Sequence, residues 1–299
     1  MKWGLALSGG ALRGAAHIGI LSVLEEEGLK PDYIAGTSSG SLVAALYALG
    51  FSASHMEEVI SNLSVKKLYD LNISWGTLSS LAINLVLWLL KSPPEFYRGL
   101  PTGLIKGVRL WEWINTIIMH RRFYDTHIPL AVMTTDINNG EAICYHSPGL
   151  DLTRYRYSRR MVLKAGNDLT TPLRASTAIP GVFAPVELDG RTLVDGGVVD
   201  NLPSEVLRSM GAKRVLAVNL GYAGEQKENL DNALKIAVQA LDIMAGELTK
   251  LRGVKAADLV INPRIYDVGL TDFHQLGECI LRGRQAAKKA LPEIRMLLG

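Results

Sequence analysis

Cysteine, long apolar runs and charge of one sign are all scarce in this chain. Only two cysteines, Cys144 and Cys279, occur among 299 residues. That excludes a disulfide-stapled scaffold and a cysteine-rich metal site, and it fits a reducing compartment. The formal net charge is only +3, so the broad basic surface of a nucleic-acid binder is missing and no nucleic-acid partner is expected. The apolar stretch Leu78 to Leu90 falls short of the about 20 residues needed to cross a bilayer. The first residues enter a strand and a glycine loop at once, so no signal peptide is expected and the chain reads as cytoplasmic, either free or peripheral at a membrane. Nucleotide motifs fail as well. Gly14 is followed by Ala15 where a Walker loop needs lysine, and Gly9, Gly10 and Gly14 lack dinucleotide-binding spacing.

Strand-like and helical stretches alternate nearly to the end. Strands are expected at Trp3 to Leu7, Tyr33 to Ala35, Leu130 to Asp136, Ala142 to Tyr145, Thr192 to Val194, Arg214 to Asn219 and Asp258 to Ile261. Helices are expected before Gly28, over Ser41 to Leu49, and near 202–210, 230–252 and 274–290. This alternation predicts an α/β fold: one domain over 1–299, with a mainly parallel central sheet flanked by helices. A helical insertion is expected at about 64–123. Within it, Leu78 to Leu90 reads either as a buried core helix or as a lid that meets lipid, and Trp111 and Trp113 open a further amphipathic helix.

Ser38 lies at the centre of Gly36-Thr37-Ser38-Ser39-Gly40, between a short apolar strand and a helix. A corner this tight holds the serine hydroxyl clear of both elements, provided the neighbours are glycine-sized. The Ser39 amide stands at a helix N-terminus, where partial positive charge favours an oxyanion. Ser38 is therefore read as a nucleophile, against the alternative of a plain helix cap. Upstream, Ser8-Gly9-Gly10-Ala11-Leu12-Arg13-Gly14 joins a strand to a helix, a geometry that turns backbone N–H groups toward an anion. The oxyanion of an ester intermediate suits it best, because this loop and the Ser38 turn follow successive strands. Arg13 either anchors the loop, balances charge, or is an ordinary solvated arginine.

A serine nucleophile needs a proton acceptor. Asp195 ends an apolar strand and precedes Gly196-Gly197, a turn that another side chain can approach closely, although Asp-Gly is also a common hairpin signal. The order Ser38, Asp195, His274 would match an α/β-hydrolase triad. A Ser38–Asp195 pair is favoured over it, since Asp272 looks like a helix cap with His274 in the first turn behind it. His17 falls inside the first helix and reads as a packed or half-exposed residue rather than a ligand. A carboxylate near its reference pKa of about 3.9 is a weak base, so the pair demands tuning by burial or hydrogen bonding.

Four ordered blocks together resemble the bacterial patatin-like phospholipases: Gly9 to Gly14, Gly36 to Gly40, Ala175-Ser176-Thr177-Ala178-Ile179-Pro180-Gly181-Val182-Phe183-Ala184-Pro185, and Asp195-Gly196-Gly197. The resemblance spans roughly residues 4 to 220. It implies a lipid acyl-ester hydrolase with Ser38 as nucleophile, Asp195 as base and no catalytic histidine, metal or organic cofactor. It also implies an oxyanion and substrate site drawn from Gly9, Gly10, Ala11, Arg13, Gly14 and Ser39, and a phospholipid or lysophospholipid substrate. Ala11 departs from the family, which usually carries a third glycine there. Either the loop keeps negative φ at Ala11, or the oxyanion pocket is reshaped. An acyltransferase using the same acyl-enzyme, and a non-catalytic lipid-binding or regulatory protein, are the rival readings. One cationic cluster (Arg154, Arg156, Arg159, Arg160 and Lys164, with Tyr155 and Tyr157) reads as a solvated face or as a contact for anionic headgroups.

Overall fold

The computed structural model describes residues 1–61, 63–70, 101–152, 160–221, 230–231, 233–269 and 272–299. Leu78 to Leu90 and the cations Arg154, Arg156 and Arg159 lie outside the described residues.

Eleven strands are described: β1 (Trp3–Leu7), β2 (Tyr33–Thr37), β3 (Gly103–Ile105), β4 (Leu130–Asp136), β5 (Glu141–His146), β6 (Met161–Ala165), β7 (Gly181–Phe183), β8 (Val186–Leu188), β9 (Arg191–Asp195), β10 (Arg214–Val218) and β11 (Leu259–Ile261). The main sheet runs β11-β10-β1-β2-β4-β5-β6, with β9 bridging β4 and β8. β11, β10, β1, β2 and β4 are parallel neighbours, as are β5 and β6, while β5 and β9 each run antiparallel to β4. The mainly parallel sheet flanked by helices is therefore present. Leu5, Leu7, Ile34, Val132 and Leu216 have no or almost no exposure, as expected for parallel strands covered on both faces.

Helix α1 (Ala15–Glu26) follows β1, and helix α2 (Ser39–Ala48) follows β2. Every residue of α1 from Ala15 to Leu24 is buried. Burial is thus not confined to one face of α1, because the C-terminal helix Leu276–Leu298 also packs against it. Gly28 ends α1 at φ 67, the left-handed conformation that glycine adopts without a Cβ penalty. The described part of 64–123 holds the helices Val65–Leu68 and Val108–Ile117 and also a strand, β3, paired with β7. The sequence pattern placed neither of these short strands, which are three residues each. Among the described residues, no helix is long and apolar enough to cross a membrane.

Strand β4 positions the site. β2 pairs with its first half and ends at Thr37 opposite Met133. β9 pairs with its second half from the opposite direction and ends at Asp195 opposite Thr134. Two strands arriving head to head along one edge of β4 thus finish at adjacent rungs, and Ser38 and Asp195 stand where they meet. The ends of β1 and β10 lie beside β2, with Leu7 opposite both Gly36 and Val218, which brings the first glycine loop to the same rim.

Candidate active site

Ser38 occupies φ 52, ψ −129 between β2 and α2, a conformation that costs an L-residue about 1–3 kcal/mol. The turn is tight enough to require its glycines. A Cβ on Gly36 would lie 2.4 Å from the Gly40 carbonyl oxygen, and one on Gly40 would lie 2.4 Å from that of Leu7. Its N–H donates to Ser176 Oγ at 2.9 Å, and its carbonyl accepts from Ser41 Oγ at 2.6 Å and from the Ser41 N–H at 2.9 Å. Ser38 is buried, with 6% of its surface exposed.

Asp195 is equally buried. Its Oδ1 accepts the Gly197 N–H at 2.8 Å, and the Ser38 side chain is near enough to favour its ionised form. A Cβ on Gly196 would lie 2.4 Å from the Met133 carbonyl oxygen, so glycine allows this turn to close on β4. Burial pushes the carboxyl up to about 7, against the lowering effect of Ser38 and Gly197, and the charge of Asp242 pushes it further in the same direction. A carboxyl poised near neutrality is able to take up and release a proton at neutral pH.

Gly9, Gly10, Ala11, Arg13, Ser38 and Asp195 line a single cavity of about 140 Å³. Its opposite wall is apolar, with Val238, Leu241, Met244 and Ala245 from the helix Ala233–Leu251, and Val268 beyond it. The loop amides divide in use. Gly9 N–H donates to the Asn201 carbonyl at 3.2 Å, whereas the Gly10 and Ala11 amides have no hydrogen-bond partner among the described residues. Ala11 sits at φ 51, so the loop does not keep negative φ there; it holds an alanine in the left-handed region. Arg13 is not a solvated arginine. It is 5% exposed, its Nε donates to the Gly10 carbonyl at 3.1 Å, and one terminal nitrogen pairs with Asp242 at 3.1 Å. Gly14 and Ser39 are not among the cavity-lining residues. A Cβ on Gly14 would lie 2.5 Å from the Ser39 side chain, so these two pack the loop against the start of α2.

The histidines stand apart. His17 is fully buried, bonds through Nε2 to the Ser8 carbonyl at 2.8 Å, and is lowered to about 4 by burial, so it stays neutral and braces the loop. His274 is exposed in a short 3-10 turn, outside the cavity lining. Asp272 does occupy the cap position, but its carboxylate accepts from the Gly269 N–H. Of the cationic cluster, Arg160 pairs with Glu141 at 2.6 Å and Lys164 with Asp189 at 2.7 Å.

Two contributors escaped the sequence reading. Ser176 was visible only as part of a motif block, with no assigned bond. Asp242 lines the cavity from a helix that carries no motif, so nothing in its sequence neighbourhood marks it.

Residues 5–208 match the family model for patatin-like phospholipases. The human patatin-like phospholipase domain-containing protein 6 is 32% identical over 223 residues, covering 74% of this chain and 13% of that protein. The lysophospholipase NTE1 of Mycosarcoma maydis is also 32% identical, over 74% of this chain and 10% of its own length. The chain thus corresponds to a small segment of these long relatives. The uncharacterized protein YqhO of Bacillus subtilis is 28% identical over 279 residues, 89% of each chain. Among solved structures, VipD from Legionella pneumophila superposes with a TM-score of 0.53 at 17% identity, over 98% of this chain and 67% of VipD, a likeness of fold.

Proposed function

Since the chain belongs to the patatin-like phospholipase family, we propose that it hydrolyses acyl esters of phospholipids or lysophospholipids through a Ser38–Asp195 pair. The observation that carries this reading is that Ser38 and a buried Asp195 carboxyl, pushed up to about 7, line one cavity with the Gly9–Ala11 loop.

Ser38 Oγ attacks the ester carbonyl while Asp195 takes its proton. The carbonyl oxygen gains charge as the tetrahedral intermediate forms, and the unpaired Gly10 and Ala11 amides receive it. Losing one such donor typically costs about 10²–10³ in rate. Asp195 then returns the proton to the departing alcohol, which leaves the acyl group on Ser38. Water then attacks the acyl carbon as it gives a proton to Asp195, and Asp195 passes that proton to Ser38 Oγ as the fatty acid leaves. No step calls on a metal or an organic cofactor. The apolar wall of Val238, Leu241, Met244 and Ala245 suits an acyl chain, which supports a lipid ester over a polar one.

Short-chain p-nitrophenyl esters test the proposal. Ser38→Ala should abolish their hydrolysis, and a fluorophosphonate probe should label the wild type but not that variant. Retained hydrolysis would refute the nucleophile. An unlabelled wild-type serine would favour a lipid-binding protein, and acyl products formed only with an added alcohol acceptor would favour a transferase.

A further inference from the structure

The helix Thr170–Ser176 and the turn after it reach both members of the pair. Ser176 closes that helix with no exposed surface, and its Oγ accepts the Ser38 N–H at 2.9 Å. Two residues later, the Ala178 carbonyl accepts the Asp195 N–H at 3.0 Å. The segment between them is itself fixed. Thr177 Oγ1 donates back to the Leu173 and Arg174 carbonyls at 3.1 and 3.0 Å, and the Ala178 N–H donates to the Ala175 carbonyl at 3.0 Å. Three consecutive residues therefore link the nucleophile's backbone to the base's backbone.

We propose that Ser176 is a positioning residue for Ser38, and that the segment 176–178 sets the separation between the Ser38 hydroxyl and the Asp195 carboxylate. Pairing on β4 brings the ends of β2 and β9 to adjacent rungs, but Ser38 and the turn after Asp195 lie beyond the regular ladder. Ser38 is also held in a conformation that an L-residue avoids. An acceptor on its N–H fixes the peptide plane that enters the corner, and so fixes where Cβ and Oγ point. Without the Ser176 hydroxyl, a buried N–H loses its partner, and the cheapest remedy is rotation of that plane. The hydroxyl then swings away from Asp195.

The inference rests on the Ser38–Asp195 reading, and its test separates the two. Ser176→Ala, with thermal unfolding measured beside it, should lower kcat on a short-chain ester at least tenfold while KM stays within about twofold. The acid limb of its pH profile should also move to higher pH. The direction follows from the groups facing Asp195. The lowering effect of Ser38 is lost, the Gly197 amide stays, and the Asp242 charge from the facing helix stays. Arg13, on the opposite loop, keeps its pairing with Asp242. A purely structural role for Ser176 would reduce stability and leave that limb in place. A folded Ser176→Ala with wild-type kcat, or with an unmoved acid limb, overturns the proposal. Should the alanine variant not fold, Ser176→Cys, a weaker acceptor of similar size, carries the same expectation and the same refutation. Hydrolysis surviving in Ser38→Ala would instead overturn the functional reading itself.

Discussion

Replacing Asp195 with asparagine should make the protein more stable above neutral pH while removing its hydrolytic activity. The carboxyl is raised from 3.8 to about 7, chiefly by burial. Near pH 3 both folded and unfolded chains hold it protonated, and the group has no pH-linked effect. Between about pH 4 and 7 the unfolded chain releases the proton while the folded chain retains it, so stability falls as pH rises. Above about 7 both states are ionised and the deficit is constant. At about 1.4 kcal/mol per pH unit, the climb from 3.8 to about 7 corresponds to a deficit on the order of 4 kcal/mol. Asparagine carries no charge to bury. Its carbonyl can still accept the Gly197 N–H, now bonded at 2.8 Å, and its amide can donate to Ser38 Oγ. Urea unfolding of wild type and Asp195→Asn at pH 4, 6 and 8 reads the effect. The variant's advantage should be small at pH 4, grow through pH 6 and level off near pH 8. A pH-independent difference, or a variant less stable at pH 8, would refute the claim that burial of this carboxylate opposes folding.

Two further substitutions probe the loop and the facing helix. Ala11 is held at φ 51, so Ala11→Gly should relieve backbone strain and raise stability by about 1 kcal/mol or less, after the added freedom of the unfolded chain is offset; a lowered melting temperature would contradict this. Asp242→Asn removes a negative charge that raises Asp195 and leaves Arg13 without its ion pair, both of which favour the ionised base. The acid limb of kcat/KM on short esters should therefore move to lower pH, and an upward or absent movement would refute that electrostatic role.

How much of this was legible beforehand depends on how local each cause is. Ser38 and its glycines could be read because a strand, a sharp corner and a helix occupy consecutive residues, and the cost of a Cβ at Gly36 or Gly40 arises within that corner. Asp195 could be read as a strand end beside two glycines. That β2 and β9 share one edge of β4 could not, because strand pairing at such separation leaves no periodic trace in either segment. Ser176 was hidden for a different reason. Its contribution is a single oxygen accepting a single N–H from a residue 138 positions away, and a serine at a helix end reads the same with or without that bond. Arg13 left alternatives open because only tertiary burial distinguishes a solvated arginine from one that clamps the Gly10 carbonyl.

The cavity lining divides along the chain into a polar side and an apolar side. Ser38, Asp195 and the Gly10–Ala11 amides all fall within residues 5–208, the part that matches the family. The apolar wall facing them comes from Val238, Leu241, Met244 and Ala245, beyond that boundary. In the proposed mechanism the nucleophile, base and two amides have to keep a fixed geometry, which ties their sequence closely to it. A wall that only has to exclude water and accept methylene groups tolerates many combinations of aliphatic residues, provided volume is kept. Asp242 is the exception on that wall, because through Arg13 it reaches the Gly10 carbonyl. The apolar side of the cleft thus carries one charge that is tied to the glycine loop on the other side, and changes of acyl preference along this helix should be easier to make at Leu241 or Met244 than at Asp242 between them.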